Sequence, residues 1–277
     1  MSISKSANGP RNAKARASFL PHPGQKAGQK KDLRRFYRTL FRNLGPQHWW
    51  PAQSRFEVIT GAFLTQNTSW KNVQLALANL RRRRLLSLNG IRRTSQGELE
   101  TLIRPAGYFR QKARSLKAFV EFLDERHHGS LERMFRQPTH LLRDELLALR
   151  GIGPETADSI LLYGGGHPVF VVDAYARRIL ERHGILPPGA HYEEVRALTE
   201  SALGSAGFAG EAAALHGLPF FQGRSQHRSS RISRMRLSPQ ARVFNEMHGL
   251  VVAAGKDFCR KTQPRCDTCP LGPLLVR

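Results

Sequence analysis

The stretch that decides the fold reads Leu149-Arg150-Gly151-Ile152-Gly153-Pro154-Glu155-Thr156-Ala157-Asp158 and, after an apolar run, ends in Val171-Val172-Asp173-Ala174-Tyr175. Just before it, leucines at 141, 142, 146, 147 and 149 recur at helical spacing. Gly151 and Gly153 interrupt that helix, because glycine accepts backbone conformations that other residues resist. Pro154 suits the first turn of a new helix, where its missing N–H has no partner to lose. Glu155 complements the positive end of that helix's dipole, and Ala157, Ile160, Leu161 and Leu162 supply its apolar face. The spacing therefore predicts two helices over 141–164, joined by a glycine turn whose N–H groups can hold an anion. Taken alone, Gly-x-Gly between helices also describes many ordinary turns, so the rest of the chain must decide.

Helical periodicity extends from 32 to 203, with turns expected at Pro51, Gly90, Pro105-Ala106-Gly107, Gly129, Pro138 and Pro187-Pro188-Gly189. No convincing strand alternation interrupts it, and the expected class is all-α. Lys and Arg number 44 against 21 Asp and Glu, a net charge of +23. That excess points to an anionic partner, with nucleic acid ahead of a membrane surface. No segment approaches the apolar length of a membrane span, and the first thirty residues hold no apolar core of a secretory signal. Three cysteines near the C-terminal end do not make a secreted disulfide framework. A cytoplasmic, nucleoid-associated protein is the expectation.

Five ordered stretches carry a resemblance to a known family. They are Gly45-Pro46-Gln47-His48-Trp49-Trp50-Pro51, then 56–68 (Phe-Glu-Val-Ile-Thr-Gly-Ala-Phe-Leu-Thr-Gln-Asn-Thr), then Ile103-Arg104-Pro105-Ala106-Gly107-Tyr108-Phe109 with Gln111-Lys112-Ala113, the hairpin, and Val171-Val172-Asp173. Over about 33–203 and 241–274 the chain resembles the endonuclease III superfamily of helix-hairpin-helix DNA glycosylases. It looks most like the 3-methyladenine DNA glycosylase branch and the endonuclease III domain proteins near it. The resemblance implies a two-lobed all-α fold with duplex DNA across the cleft. One lobe is a six-helix barrel over 52–167, with the hairpin at 141–164. The other joins 32–51 to 168–277. Residues 1–31, with seven Lys/Arg and no acid, read as a disordered basic arm. Residues 204–240 look like an insertion, ending in an Arg/Ser-rich run over 223–236; it is either a flexible loop that touches phosphates or a tolerated surface insertion. Arg81-Arg82-Arg83-Arg84 reads first as a solvated face.

The resemblance assigns roles that each have a plainer alternative. Asp173 matches the catalytic carboxylate, which would stabilise an oxocarbenium-like sugar or orient water. It is also a good N-cap for the helix expected after it, and the two readings are compatible. Glu155 stands where bifunctional relatives keep the lysine that forms a Schiff base. A carboxylate cannot form an imine, so a monofunctional glycosylase leaving an abasic site is expected. Lys112 and Lys117 do not match the nucleophile's position. Trp50 and Trp70 are spaced as aromatics that stack on a flipped, electron-poor alkylated purine, with Pro51 shaping the wall. Large core residues are the alternative, and Phe63 is left to the core. Gln66 matches a residue that fills the gap left by the flipped base, and Asn67 braces the same loop; a capping amide is the alternative. Gly151, Ile152, Gly153, Glu155 and Thr156 form the DNA-facing hairpin.

Cys259-x6-Cys266-x2-Cys269 resembles three quarters of an iron–sulfur motif whose fourth position here is Leu275. Cubane clusters take four thiolates. A [4Fe–4S] cluster on three cysteines, with a labile or foreign fourth ligand, and a motif decaying after loss of the metal both remain open, with zinc a weaker alternative. The partners implied are double-stranded DNA, with the protein acting as a monomer, and a downstream abasic-site endonuclease. Two other functions stay in play: a glycosylase for oxidised or mismatched pyrimidines, and a DNA-binding protein whose catalysis has lapsed.

Overall fold

Seven helices begin at a serine whose hydroxyl accepts the N–H three residues on, at Ser54, Ser69, Ser87, Ser95, Ser130, Ser205 and Ser238. Each such cap contributes about 1 kcal/mol by satisfying an otherwise orphaned donor. The computed structural model describes residues 23–217 and 228–275, and the described residues form helices without strands. In chain order these are α1 (Pro23–Leu44), α2 (Arg55–Thr65), α3 (Trp70–Arg82), α4 (Leu88–Arg93), α5 (Gln96–Ile103), α6 (Phe109–His127), α7 (Leu131–Phe135), α8 (Thr139–Leu147), α9 (Pro154–Ser159), α10 (Ala174–Arg182), α11 (Tyr192–Leu203), α12 (Ala206–His216) and α13 (Pro239–Asp257). A π-helical turn, Ile160–Gly165, continues α9.

Two packing groups result. Helices α1, α10, α11, α12 and α13 pack on one another, and α2 to α9 pack around α2 and α6. Of the eight helices in the second group, α4, α7 and α9 are short, and the π-helical turn extends α9. The groups meet where α13 touches the π-helical turn. The core runs through both, from Tyr37 and Phe41 on α1 to Ile59 and Phe63 on α2 and Phe119 on α6. No helix among the described residues is long and apolar enough to cross a membrane.

Three expectations are corrected. The basic arm does not extend to residue 31, because Pro23 opens α1 and residues 23–31 are helical. Gln29 Nε2 donates to the Ile185 carbonyl at 2.6 Å, and Leu33, Phe36, Tyr37 and Leu40 anchor the helix that follows; tertiary contacts override a weak local propensity. Residues 1–22 lie outside the described residues. Gly90 is not a turn. It sits inside α4, where a Cβ would meet the Leu85 carbonyl oxygen at 2.5 Å. Nor are the described parts of 204–240 a flexible loop. The first part is α12, whose Phe208 and Ala212 are buried against the lobe. The last part docks beside the cleft: Ser230 Oγ donates to the Trp50 carbonyl at 2.9 Å, and the Ile232 N–H donates to the Ala52 carbonyl at 3.2 Å. Residues 218–227, which include the start of the Arg/Ser-rich run, lie outside the described residues. The 81–84 run is partly ion-paired, with Arg81 on Glu57 at 2.6 Å and Arg83 on Glu98 at 3.2 Å.

One buried carboxyl sets a pH dependence. Glu246 on α13 accepts the Gln47 N–H at 2.8 Å, and burial pushes its pKa up to about 7. A carboxyl raised in the folded state holds a proton that the unfolded chain has released. Its stabilising contribution is full below the ordinary carboxylate range and is lost as pH rises through about 7. Glu246→Gln keeps the acceptor and removes the titration. Its melting temperature relative to wild type is expected to rise between pH 5 and pH 8, by on the order of 5 °C. A difference that is flat with pH would show that Glu246 does not titrate there.

Candidate active site

The hairpin forms as the glycine spacing requires. Between α8 and α9, Gly151 takes a φ of +88°, and a Cβ there would stand 2.2 Å from Ser115 Oγ. Leu142 and Leu146 are the buried leucines of α8, whereas Leu141 is exposed and Leu149 lies beyond the helix end. Ala157, Ile160, Leu161 and Leu162 are fully buried. No side chain caps α9, which begins at the exposed Gly153-Pro154 pair. Gln111, Arg114, Ser115 and Arg150 line a cavity of about 250 Å³ next to the turn.

Asp173 is delivered by a buried extended segment. Val169 to Val172 are almost wholly buried. The Phe170 N–H donates to Glu200 at 2.9 Å, and the Val172 N–H donates to the Tyr192 hydroxyl at 3.3 Å. Tyr192 in turn donates to Asp158, which Arg143 binds at 2.7 Å. Asp173 then caps α10, its Oδ1 accepting the Ala176 N–H at 2.7 Å. The cap orients the carboxylate through Oδ1 and leaves Oδ2 outside the cap, 3.6 Å from His248 Nε2.

That cleft is a cavity of about 1090 Å³. Gln66, Asn67 and Trp70 line it on one side, the hairpin residues Gly151, Ile152, Gly153, Glu155 and Thr156 on another, and Asp173, Arg177 and His248 on a third. Trp49 and Trp50 also line it, whereas Pro51, expected to shape its wall, does not. Trp50 is 5 % exposed and Trp70 is half-buried. The two rings lie 5.3 Å apart at 84°, and Trp49 packs on both. They therefore form an edge-to-face cage and leave no slot for a third ring between parallel walls.

Gln66 joins its side of the cleft to the hairpin wall that carries Glu155. Gln66 Nε2 donates at 2.9 Å to both the Gly151 carbonyl and Thr156 Oγ1, tying the end of α2 to the hairpin. Asn67 holds a φ of +52° in the next position. Glu155 keeps solvent contact, but the surrounding protein and the Asp173 charge push its pKa up to about 7, against the attraction of His248 and Arg177. Lys112 is committed elsewhere: it is buried and donates to the Leu64 and Ala106 carbonyls at 2.9 and 2.7 Å, with burial lowering its pKa to about 8. Lys117 likewise binds the Arg92 and Thr94 carbonyls. Lys71 and Lys256 line the cleft from α3 and α13, outside the hairpin.

Sequence reading missed His248, which lines the cleft, and Tyr163 buried behind it. Tyr163 is fully buried, and its hydroxyl lies 2.5 Å from His248 Nδ1; His248 Nε2 lies 3.6 Å from Asp173 Oδ2. No motif links positions 163, 173 and 248, so only the fold brings them together.

Cys259, Cys266 and Cys269 line a separate cavity of about 20 Å³ together with Leu275. Burial raises the Cys269 thiol pKa. The fourth thiolate position is a hydrocarbon. Among the described residues, no three His, Cys, Asp or Glu side chains are placed to hold a metal ion. The donors do not fit a cluster ligated by four protein thiolates.

Comparison with known proteins agrees with this geometry. A sequence model described as "HhH-GPD superfamily base excision DNA repair protein" matches residues 60–204. A candidate DNA repair glycosylase of Methanocaldococcus jannaschii, MJ1434, is 37 % identical over 86 % of this chain and 92 % of its own length. The structure of H. pylori 3-methyladenine DNA glycosylase (MagIII) bound to 1,N6-ethenoadenine superposes with a TM-score of 0.65 at 28 % identity, covering 82 % of this chain and 97 % of that one. A trapped endonuclease III–DNA covalent intermediate shares the fold, with a TM-score of 0.65 at 20 % identity over 87 % of this chain and 93 % of that one.

Proposed function

Because this chain belongs to the HhH-GPD superfamily of base excision DNA repair proteins, we propose that this DNA glycosylase removes alkylated purines from duplex DNA and does so without cutting the strand. One observation carries the reading: a single cavity joins the Asp173 carboxylate to a tryptophan cage, with a carboxylic acid, Glu155, at the hairpin position where a lyase needs an amine. The similarity to a 3-methyladenine glycosylase structure supports the substrate class.

The chemistry follows from the bond. The N-glycosidic bond breaks with its electron pair leaving on the base. A purine alkylated on a ring nitrogen carries positive charge, departs as a neutral molecule and needs little help from an acid. The sugar left behind is cationic at C1′, and the Asp173 carboxylate stabilises that charge. Water adds to C1′ and loses a proton, completing the abasic site. The flipped base rests on the open side of the tryptophan cage, where an electron-poor ring gains most from a π-face. Arg150, Arg114 and the hairpin N–H groups hold backbone phosphates. The protein works as a monomer, and a separate abasic-site endonuclease processes the product.

A duplex panel tests the substrate. Oligonucleotides carrying 3-methyladenine, ethenoadenine, an oxidised pyrimidine or a G·T mismatch are incubated with excess enzyme, and freed bases are measured by mass spectrometry. The alkylated purines are expected to be released at least about tenfold faster than the other lesions. Faster release of the oxidised pyrimidine would reassign the substrate and leave the glycosylase reading intact.

A further inference from the structure

We infer that His248 is a positioning residue for the reaction, holding the free oxygen of Asp173 through a Tyr163–His248–Asp173 chain. The inference rests on the reading of Asp173 as the carboxylate that faces the sugar.

His248 on α13 is 4 % exposed and enclosed by the rings of Trp49, Tyr163 and Phe170. A buried imidazole needs partners for both nitrogens. Nδ1 has the Tyr163 hydroxyl at 2.5 Å. Nε2 has no partner at hydrogen-bond distance, and the acceptor it faces is Asp173 Oδ2 at 3.6 Å. This arrangement places a hydrogen on Nε2. An unprotonated Nε2 would point a lone pair at a carboxylate, so Nε2 carries the hydrogen. In the neutral ring Nδ1 is then the acceptor, and the Tyr163 O–H donates to it. Burial holds the Tyr163 phenol far above its ordinary pKa, which keeps it a donor. The phenol thus selects the tautomer that presents an N–H to Asp173.

The two carboxylate oxygens are then divided. Oδ1 is fixed by the Ala176 N–H at the start of α10. Oδ2 is the oxygen available to the sugar, and the His248 N–H lies just outside bonding range of it. A shift of a few tenths of an ångström closes that contact, so the imidazole limits rotation of the carboxylate without neutralising it. Asp173 and His248 come from different elements, and α10 packs directly on α13.

The test uses the full chain with His248→Leu, His248→Gln and Tyr163→Phe. Gln offers an amide N–H near the Nε2 position, whereas Leu offers none. Single-turnover base release from methylated duplex, duplex affinity and melting temperature are measured for each. His248→Leu is expected to slow release by about 10- to 100-fold, the scale of a misplaced reacting group, with affinity nearly unchanged. His248→Gln is expected to recover most of that rate, and Tyr163→Phe to fall between. Ring 15N spectra of selectively labelled histidine give a readout that needs no substrate. The His248 signal, identified by its loss in His248→Gln, should show a protonated Nε2 that shifts in Asp173→Asn. Absence of alkylpurine release by the wild type would contradict the proposed substrate and leave these spectra to decide the His248 contact. A wild-type rate in His248→Leu, equal losses in the Leu and Gln variants, or an Nε2 signal indifferent to Asp173→Asn would overturn the inference.

Discussion

Asp173→Asn is expected to slow single-turnover base release by about 10³-fold or more, the scale of removing a preorganised charge from the transition state, while duplex affinity stays near wild type. The substitution isolates charge from structure. Asn and Asp are equivalent N-caps, so the Asn side-chain oxygen can still accept the Ala176 N–H, and α10 keeps its start. The lost element is the negative charge of the carboxylate, which in the proposed reaction faces C1′. Rapid-quench base release, fluorescence anisotropy on the same duplex and thermal melting separate the three effects. Asp173→Ala provides the contrast, since it removes the cap as well, at a cost of about 1 kcal/mol. An Asn variant that still turns over near the wild-type rate would move the catalytic role to another group, with Glu155 the first to examine.

The second large effect concerns strand cleavage. Wild-type protein incubated with damaged duplex and borohydride is expected to give no trapped covalent adduct, and Glu155→Lys is expected to give one at about tenfold or more above that background. Glu155 borders the same cavity as Asp173; the desolvation that pushes its carboxyl up also favours the uncharged form of a lysine there, while the Asp173 charge favours the ammonium. For a lysine the uncharged form is the nucleophilic amine. The substitution places a cation near the positive end of a short helix, which costs about 0.5 kcal/mol and leaves the fold intact. An adduct formed by the wild type would implicate Lys71 or Lys256, the lysines that line the cleft. It would contradict the monofunctional reading.

How far the sequence predicts this molecule depends on the range of the interaction. The hairpin and the Asp173 cap were legible because their signals are local: two glycines, a proline at the first helical position and an acid three residues before the N–H it caps. The all-α class followed from periodicity for the same reason. Residues 23–31 were not legible, since Lys- and Gly-rich helical turns are held by contacts such as that of Gln29 with Ile185. Gly90 read as a turn because spacing does not show that Leu85 presses on it. The tryptophan pair was found by its spacing, but its edge-to-face geometry depends on Trp49 and on residues 230–232, which hold the segment from behind. The Tyr163–His248–Asp173 chain spans 85 residues and carries no pattern. Local chemistry named the Asp173 cap, and the family resemblance proposed its catalytic role; only packing showed what surrounds it.

The central claim is base release without strand cleavage, and one measurement addresses it directly. Methylated duplex DNA is incubated with the wild-type protein, the freed bases are identified by mass spectrometry, and strand integrity is read before and after hot alkali. The account predicts free 3-methyladenine with strand breaks only after alkali. No free base despite tight duplex binding, or breaks that appear without alkali, would contradict it.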